Sequence, residues 1–296
     1  MSTRFSTAAV QGSFAREISG LRLWEPLQPA EIEALRNLLS EHGVLVFRRQ
    51  ALSEHEFAEF CALFGTLEQT ARRDWAALTR PEINILSNLR DGAGKPIGGL
   101  SDGELDWHSD QSYVQHPATG GGLYAVEIAH QGGATRWANL GQAYAALPEA
   151  LRRRADTAQV IYSYAKRLAG YSSEDKAIDN EVKRKTPAVT HPLVLAHPLT
   201  GRKALYLDPT TAIGVVGMPA DEAGQFLAEL VRCATAPGFV YAHAWQVGDV
   251  LLWDNGFLLH QRDAFPESEH RLMKRATFFL PPARHMVPGG EIHGMD

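Results

Sequence analysis

The stretch Trp107-His108-Ser109-Asp110, answered far downstream by His260 and then Arg271, holds the residues of this chain best suited to chemistry. A histidine and a carboxylate two residues apart on a strand face the same way, because strand side chains alternate. They can chelate one metal side by side, and a second histidine from a distant strand can close the set. Two imidazoles and one carboxylate occupy one face of an octahedron and leave the opposite face open, the arrangement used by non-haem Fe(II) oxygenases. A His-x-Asp pair alone is common, and the chain has 12 histidines, so its companions decide the matter.

His260 stands out by context. Gly248-Asp249-Val250-Leu251-Leu252-Trp253-Asp254-Asn255 reads as a turn, a buried strand and a polar exit, and the histidine follows beside Leu258 and Leu259. Arg271 and Arg275 come next, four residues apart, with Arg275 opening the apolar run ATFFL. Guanidinium is the side chain best shaped to grip a carboxylate through two parallel hydrogen bonds. Two such groups just after a metal histidine suit one acidic cosubstrate and one acidic substrate, although a surface basic cluster would look the same in isolation. Tyr113, Tyr162, Tyr164 and Phe257 are aromatic candidates for a pocket wall or for plain core.

The elements that must position these groups follow from hydrophobic periodicity. Helices are expected over Pro29–Ser40, from the Ser53–Glu56 capping box to Gly65, over Leu140–Leu151 and over Asp221–Cys233. Strands are expected at Val44–Phe47, Ile83–Leu86, Leu123–Ile128, Ala134–Trp137, Val189–Leu195, Lys203–Leu207, Phe239–Ala244, Val250–Trp253 and Arg275–Phe279. The polar, glycine-rich segment Leu89–Asp106 leads into the candidate ligands and reads as a mobile excursion or a lid. Helices near the front followed by many short strands indicate a mainly β domain with helical insertions. Two facing sheets of a jelly roll or cupin offer a mouth for a metal.

Composition bounds the rest. The chain has 296 residues, 45% hydrophobic and 21% charged, with no linker or repeat that would divide it, so one domain over 1–296 is expected. A net charge of −5 gives no basic field for nucleic acid. Two cysteines are too few for a disulfide framework. Without a signal-like or membrane-length apolar stretch, a cytoplasmic protein is expected. The Asp221–Cys233 helix, with Phe226, Leu227 and Leu230, suits core packing and an interface equally, which leaves a homo-oligomer open.

Five ordered stretches, WHSDQSY, GGATRWANLGQAYAAL, HPLVLAHPLTGRKALYL, GDVLLWDNGFLLH and HRLMKRAT, resemble the taurine dioxygenase and 2,4-dichlorophenoxyacetate dioxygenase family of Fe(II)/2-oxoglutarate-dependent enzymes. They span roughly residues 40 to 280 in the family's order and spacing. The resemblance implies a double-stranded β-helix and His108, Asp110 and His260 as catalytic iron ligands. It implies Thr135 and Arg271 on the distal carboxylate of 2-oxoglutarate, and Arg275 on an acidic primary substrate; among the aromatic candidates, Tyr113 is the expected substrate contact beside it. Fe(II), 2-oxoglutarate and O₂ would then oxidise a C–H bond of a small molecule bearing a carboxylate or sulfonate, releasing succinate and CO₂. The carboxylate at Asp110 disfavours halogenation, which in related enzymes needs Ala or Gly there. Two departures weigh against taurine itself: Glu104 or Asp106 stands near where the family has an asparagine, and the segment before the triad is longer. The alternatives are a zinc-dependent cupin-type hydrolase or isomerase, which leaves Thr135 and Arg271 without a task, and a non-catalytic metal-binding module, against which every cofactor-handling position is filled by the residue the chemistry needs.

Overall fold

A computed structural model of the protein describes residues 4–69, 73–100, 102–168 and 186–289. Its core is a nine-stranded sheet facing a four-stranded one. The larger sheet runs Ser6–Ala9, Arg16–Ser19, Val44–Phe47, Val250–Asp254, Gly120–Glu127, Leu272–Phe279, Ile83–Ser87, Gly99–Leu100, with Thr66–Leu67 added beside Leu272–Phe279. The smaller runs Val240–His243, Thr135–Asn139, Leu258–Arg262, Leu105–His108 and is antiparallel throughout. This is the expected jelly-roll architecture, mainly β with helical insertions.

Alternation along the central strands explains why they read as unbroken apolar runs. In Val44–Phe47, Val44 and Val46 join the core between the sheets, while Leu45 and Phe47 join a second core on the outer face. Leu251 and Trp253 point inward and Val250 and Leu252 outward in the same way. A strand buried on both faces loses the polar/apolar alternation that marks a half-exposed one. The outer core is covered by helices Pro29–His42 and Glu54–Ala62, through Leu35, Leu39, Phe57 and Phe60. The second helix starts at the expected capping box: Ser53 Oγ accepts from Glu56 N at 3.2 Å, and Glu56 Oε2 accepts from Ser53 N at 2.7 Å. The first ends at Gly43, whose φ of 78° closes the helix in the left-handed region.

Three expected elements differ. Leu140–Leu151 is two helices, Leu140–Ala145 and Glu149–Thr157, because Pro148 cannot continue the first and forces Leu147 out of helical geometry. Val189–Leu195 is likewise cut after Pro192 into Val189–Pro192 and Val194–Ala196, which pair with different partners. The Leu89–Asp106 segment, of which residue 101 lies outside the description, is more ordered than a bare excursion. Asp91 Oδ1 accepts from Ala93 N and Lys95 N, both at 2.9 Å, closing a turn, and Gly99–Leu100 pairs in parallel with Leu86 and Ser87. Helix Ala220–Ala234 buries Phe226 and Leu230 within its own chain. No helix among the described residues is long and apolar enough to cross a membrane.

Candidate metal centre and cosubstrate pocket

Strand register builds the site. His260 lies directly opposite His108 on one side and Trp137 on the other, and Arg262 lies opposite Thr135. Directly paired residues share a face, and so do residues two apart on one strand. The inner face of the smaller sheet therefore presents His108, His260, Arg262 and Thr135 together. From the larger sheet, Trp253 and Met273 face inward, and period two carries Arg275 to the same side.

His108, Asp110 and His260 are all buried, with one potential ligand atom from each within 4.8 Å of the others. His108 Nε2 is 4.0 Å from Asp110 Oδ1, and His260 Nε2 is 3.6 Å from Asp110 Oδ2. The strand ends at His108, so Asp110 sits in the turn beyond it rather than on the strand that the two-residue spacing suggested. The turn still brings the carboxylate to the imidazole. His108 Nδ1 lies 2.6 Å from the Asp106 carbonyl. A carbonyl only accepts, so Nδ1 carries the proton and Nε2 keeps its lone pair for a metal. Burial lowers the pKa of both imidazoles, that of His260 to about 4, which holds them neutral. Burial by itself would raise Asp110, but the positive groups around it, Arg275 foremost and Arg167 among the others, together outweigh burial and keep the carboxyl ionised, well below the usual carboxylate range. Two neutral imidazoles and one carboxylate in a buried mouth fit an Fe(II) ion.

Asp110 is held from behind. Arg275 Nη2 lies 2.5 Å from Oδ2, and Asn255 Nδ2 donates to the same oxygen at 3.3 Å. Trp253 Nε1 donates to Asn255 Oδ1 at 2.8 Å, which turns the amide so that its NH₂ faces Asp110. Asn255 was read from sequence only as a polar strand exit.

A cavity beside the triad is lined by His108, His260, Thr135, Arg271, Arg275 and Arg262, among others. Arg271 is 4% exposed, and its main-chain N–H donates to Asn88 Oδ1 at 3.0 Å. Burial first, then the nearby Arg262 charge, push its pKa well below the usual arginine value. A buried cation so destabilised favours an anionic partner. Thr135, also buried, accepts from Trp245 Nε1 at 2.9 Å. Arg262 and Arg167 share the lining and were missed in the sequence. Arg262 had a legible signal, two residues after His260 on one strand; Arg167, on the short helix Tyr164–Leu168, had none.

Other candidates fall outside this lining. Tyr113 packs against Tyr164 with ring centroids 4.5 Å apart and planes tilted by 36°. Tyr162 and Phe257 are core residues, and the Tyr162 hydroxyl donates to the Tyr206 carbonyl at 2.8 Å. Glu104 and Asp106 are exposed, Glu104 accepting from Gln261 Nε2 at 2.9 Å, so neither side chain replaces the family asparagine near the metal.

The family described as "Taurine catabolism dioxygenase TauD, TfdA family" matches residues 6–277. The chain is 32% identical to an alpha-ketoglutarate-dependent 2,4-dichlorophenoxyacetate dioxygenase of Cupriavidus pinatubonensis over 275 residues, covering 89% of this chain and 94% of that protein. It is 28% identical to a pentalenolactone F synthase of Streptomyces avermitilis, covering 97% and 99% of the two chains. Among solved structures, the protein named AAD-2, crystallised with Mn(II) and N-oxalylglycine, superposes with a TM-score of 0.76 at 29% identity, covering 94% of this chain and 98% of that one. A taurine dioxygenase from Burkholderia xenovorans gives 0.78 at 25% identity, covering 94% and 90%. The chain therefore belongs to the TauD/TfdA family, and is a non-haem iron dioxygenase that uses Fe(II), 2-oxoglutarate and O₂.

Proposed function

We propose that His108, Asp110 and His260 bind the Fe(II), that Thr135 and Arg271 hold the distal carboxylate of 2-oxoglutarate, and that Arg275 meets the anionic end of a small carboxylate or sulfonate substrate. The reaction oxidises a C–H bond of that substrate and releases succinate and CO₂. The observation that carries this reading is the single buried cavity on which both histidines, Thr135 and Arg271 converge. Its described lining includes four arginines and no carboxylate, a balance that suits a dianionic cosubstrate together with a second acid.

Bound Fe(II), with O₂ and 2-oxoglutarate, supplies the oxidising power. The chain's own residues bind, orient and exclude water. The Asp106 carbonyl fixes the His108 tautomer, and Asn255 with Arg275 occupies Asp110 Oδ2, leaving Oδ1 for the metal. Arg275 Nε is buried without a partner among the described residues, so donor capacity remains after the Asp110 contact. The 2,4-dichlorophenoxyacetate dioxygenases similar to this chain act, by name, on an aryloxy acid, which supports an acidic substrate here. Tyr113, packed on Tyr164 away from the cavity lining, would touch only a substrate that extends beyond it. A zinc hydrolase would use the triad alone and leave Thr135 and Arg271 idle.

Anaerobic titration with Fe(II) and then 2-oxoglutarate tests the reading. We expect a weak visible charge-transfer band, followed in air by substrate-stimulated succinate release across a panel of aryloxy acids, sulfonates and amino-acid derivatives. Full iron loading without the band would overturn the assignment of Thr135 and Arg271.

A further inference from the structure

Trp245 belongs to no motif, yet its indole Nε1 lies 2.9 Å from Thr135 Oγ1. An indole N–H can only donate, so the threonine oxygen is the acceptor and its own hydrogen must point elsewhere. That oxygen has no second hydrogen-bond partner among the described residues, although Thr135 is only 3% exposed. Buried hydroxyl donors normally find an acceptor. The cavity Thr135 shares with Arg271 is where an acceptor would come from.

We propose that Trp245 is a positioning residue for the cosubstrate: by occupying one lone pair of Thr135 Oγ1, it aims the threonine hydroxyl hydrogen at the distal carboxylate of 2-oxoglutarate. This rests on the 2-oxoglutarate pocket proposed above. The effect is selective, because a 2-oxo acid without a distal carboxylate has nothing to receive that hydrogen.

The indole is itself held in place. Its ring meets His243 edge to face, with centroids 4.6 Å apart and planes at 77°. His243 lies directly opposite Thr135 in the strand pairing, so both side chains share a face. The imidazole is clamped between the Tyr241 hydroxyl, 2.6 Å from Nδ1, and Asp249 Oδ2, 2.9 Å from Nε2. Asp249 Oδ2 also accepts from Gln246 N at 2.9 Å and from Arg48 Nη1 at 2.6 Å, which anchors the turn that carries Trp245. Trp245 and Arg271 also line a second cavity together, so the indole and the guanidinium border a common space.

The test is calorimetric titration of Mn(II)-loaded protein with 2-oxoglutarate and, separately, with pyruvate. Trp245→Phe keeps an aromatic ring but removes the N–H. The 2-oxoglutarate Kd should rise about tenfold, the usual size for one lost hydrogen bond to a charged system, while the pyruvate Kd stays unchanged. Thr135→Val should show the same loss, and the double variant should lose no more than either single one. An unchanged 2-oxoglutarate Kd in Trp245→Phe, equal weakening of pyruvate, or additive losses would each overturn the proposal. Should Trp245→Phe not fold, Thr135→Val alone decides: wild-type 2-oxoglutarate affinity in that variant leaves the indole nothing to position. Failure of the wild-type protein to bind 2-oxoglutarate in a metal-dependent way would instead overturn the pocket itself.

Discussion

Arg275 Nη2 lies 2.5 Å from Asp110 Oδ2, joining the cationic wall of the cavity to the acidic member of the candidate triad. The same guanidinium lies over the Trp253 ring, 5.9 Å from its centroid, and Trp253 packs on His260 at 5.3 Å. On the proposed assignment, substrate recognition and ligand orientation share one side chain. Arg275→Gln should raise the KM for an acidic substrate by about thirtyfold or more, the cost of truncating one partner of a buried charge pair. It should also loosen Asp110, so Mn(II) affinity should fall as well. Asn255→Ala removes only the support of the carboxylate, so it should weaken metal binding by about tenfold with a much smaller effect on substrate KM. Substrate kinetics and metal titrations on the two variants separate these roles, and equal KM effects would contradict the division.

His108→Ala removes one of the three proposed ligands and should abolish both metal-dependent stabilisation and succinate release. In the wild-type protein, saturating Mn(II) should raise the melting temperature and a chelator should reverse the gain, because a ligand bound only to the folded state stabilises it by mass action. A His108→Ala protein that still melts later with Mn(II), or still releases succinate, contradicts the triad.

Arg271 and Thr135 should affect cosubstrate rather than substrate. Arg271→Ala removes the buried cation and should raise the 2-oxoglutarate KM by about thirtyfold or more, with a smaller change in kcat. Thr135→Ala removes a neutral donor, and about tenfold is expected. Initial rates of succinate release against 2-oxoglutarate concentration distinguish the two. A loss confined to kcat would place neither residue on the cosubstrate.

Stability should fall steeply in mild acid. His108, His243 and His260 are buried, and burial is the main cause lowering their pKa values from 6.5, to about 4 for His260. Below pH 6.5 the unfolded chain takes up protons that the folded one refuses, so the stability these neutral histidines contribute is present above that pH and lost as pH falls. Each adds a slope of up to about 1.4 kcal/mol per pH unit. Urea midpoints of metal-free protein measured between roughly pH 7 and 5 should show this fall, and a flat profile would contradict neutral burial.

How much was legible in sequence depended on whether the signal was local. The capping box at Ser53 and Glu56 appears in the structure as read, because it is closed within four residues. The Pro148 and Pro192 breaks were misread as continuous elements, although proline's missing N–H and its restraint on the preceding residue act locally too. His108, Asp110, His260, Thr135, Arg271 and Arg275 were all identified as candidates, through residue type, spacing and ordered motifs.

Only the tertiary structure decided which of them meet and what supports them. Pairing His260 with His108 and Arg262 with Thr135 is a matter of register between strands far apart in sequence, and a one-residue slip would turn each side chain to the other face. The Asp106 carbonyl on His108, the Trp253–Asn255–Asp110 chain and the Trp245 contact to Thr135 leave no periodic trace. Tyr162 and Phe257 show the converse, since an aromatic residue reads alike in a core and on a pocket wall until burial separates the two. Amino-acid sequence determined the chemistry available to this protein; strand register, which depends on the pairing of distant segments, decided where that chemistry converges.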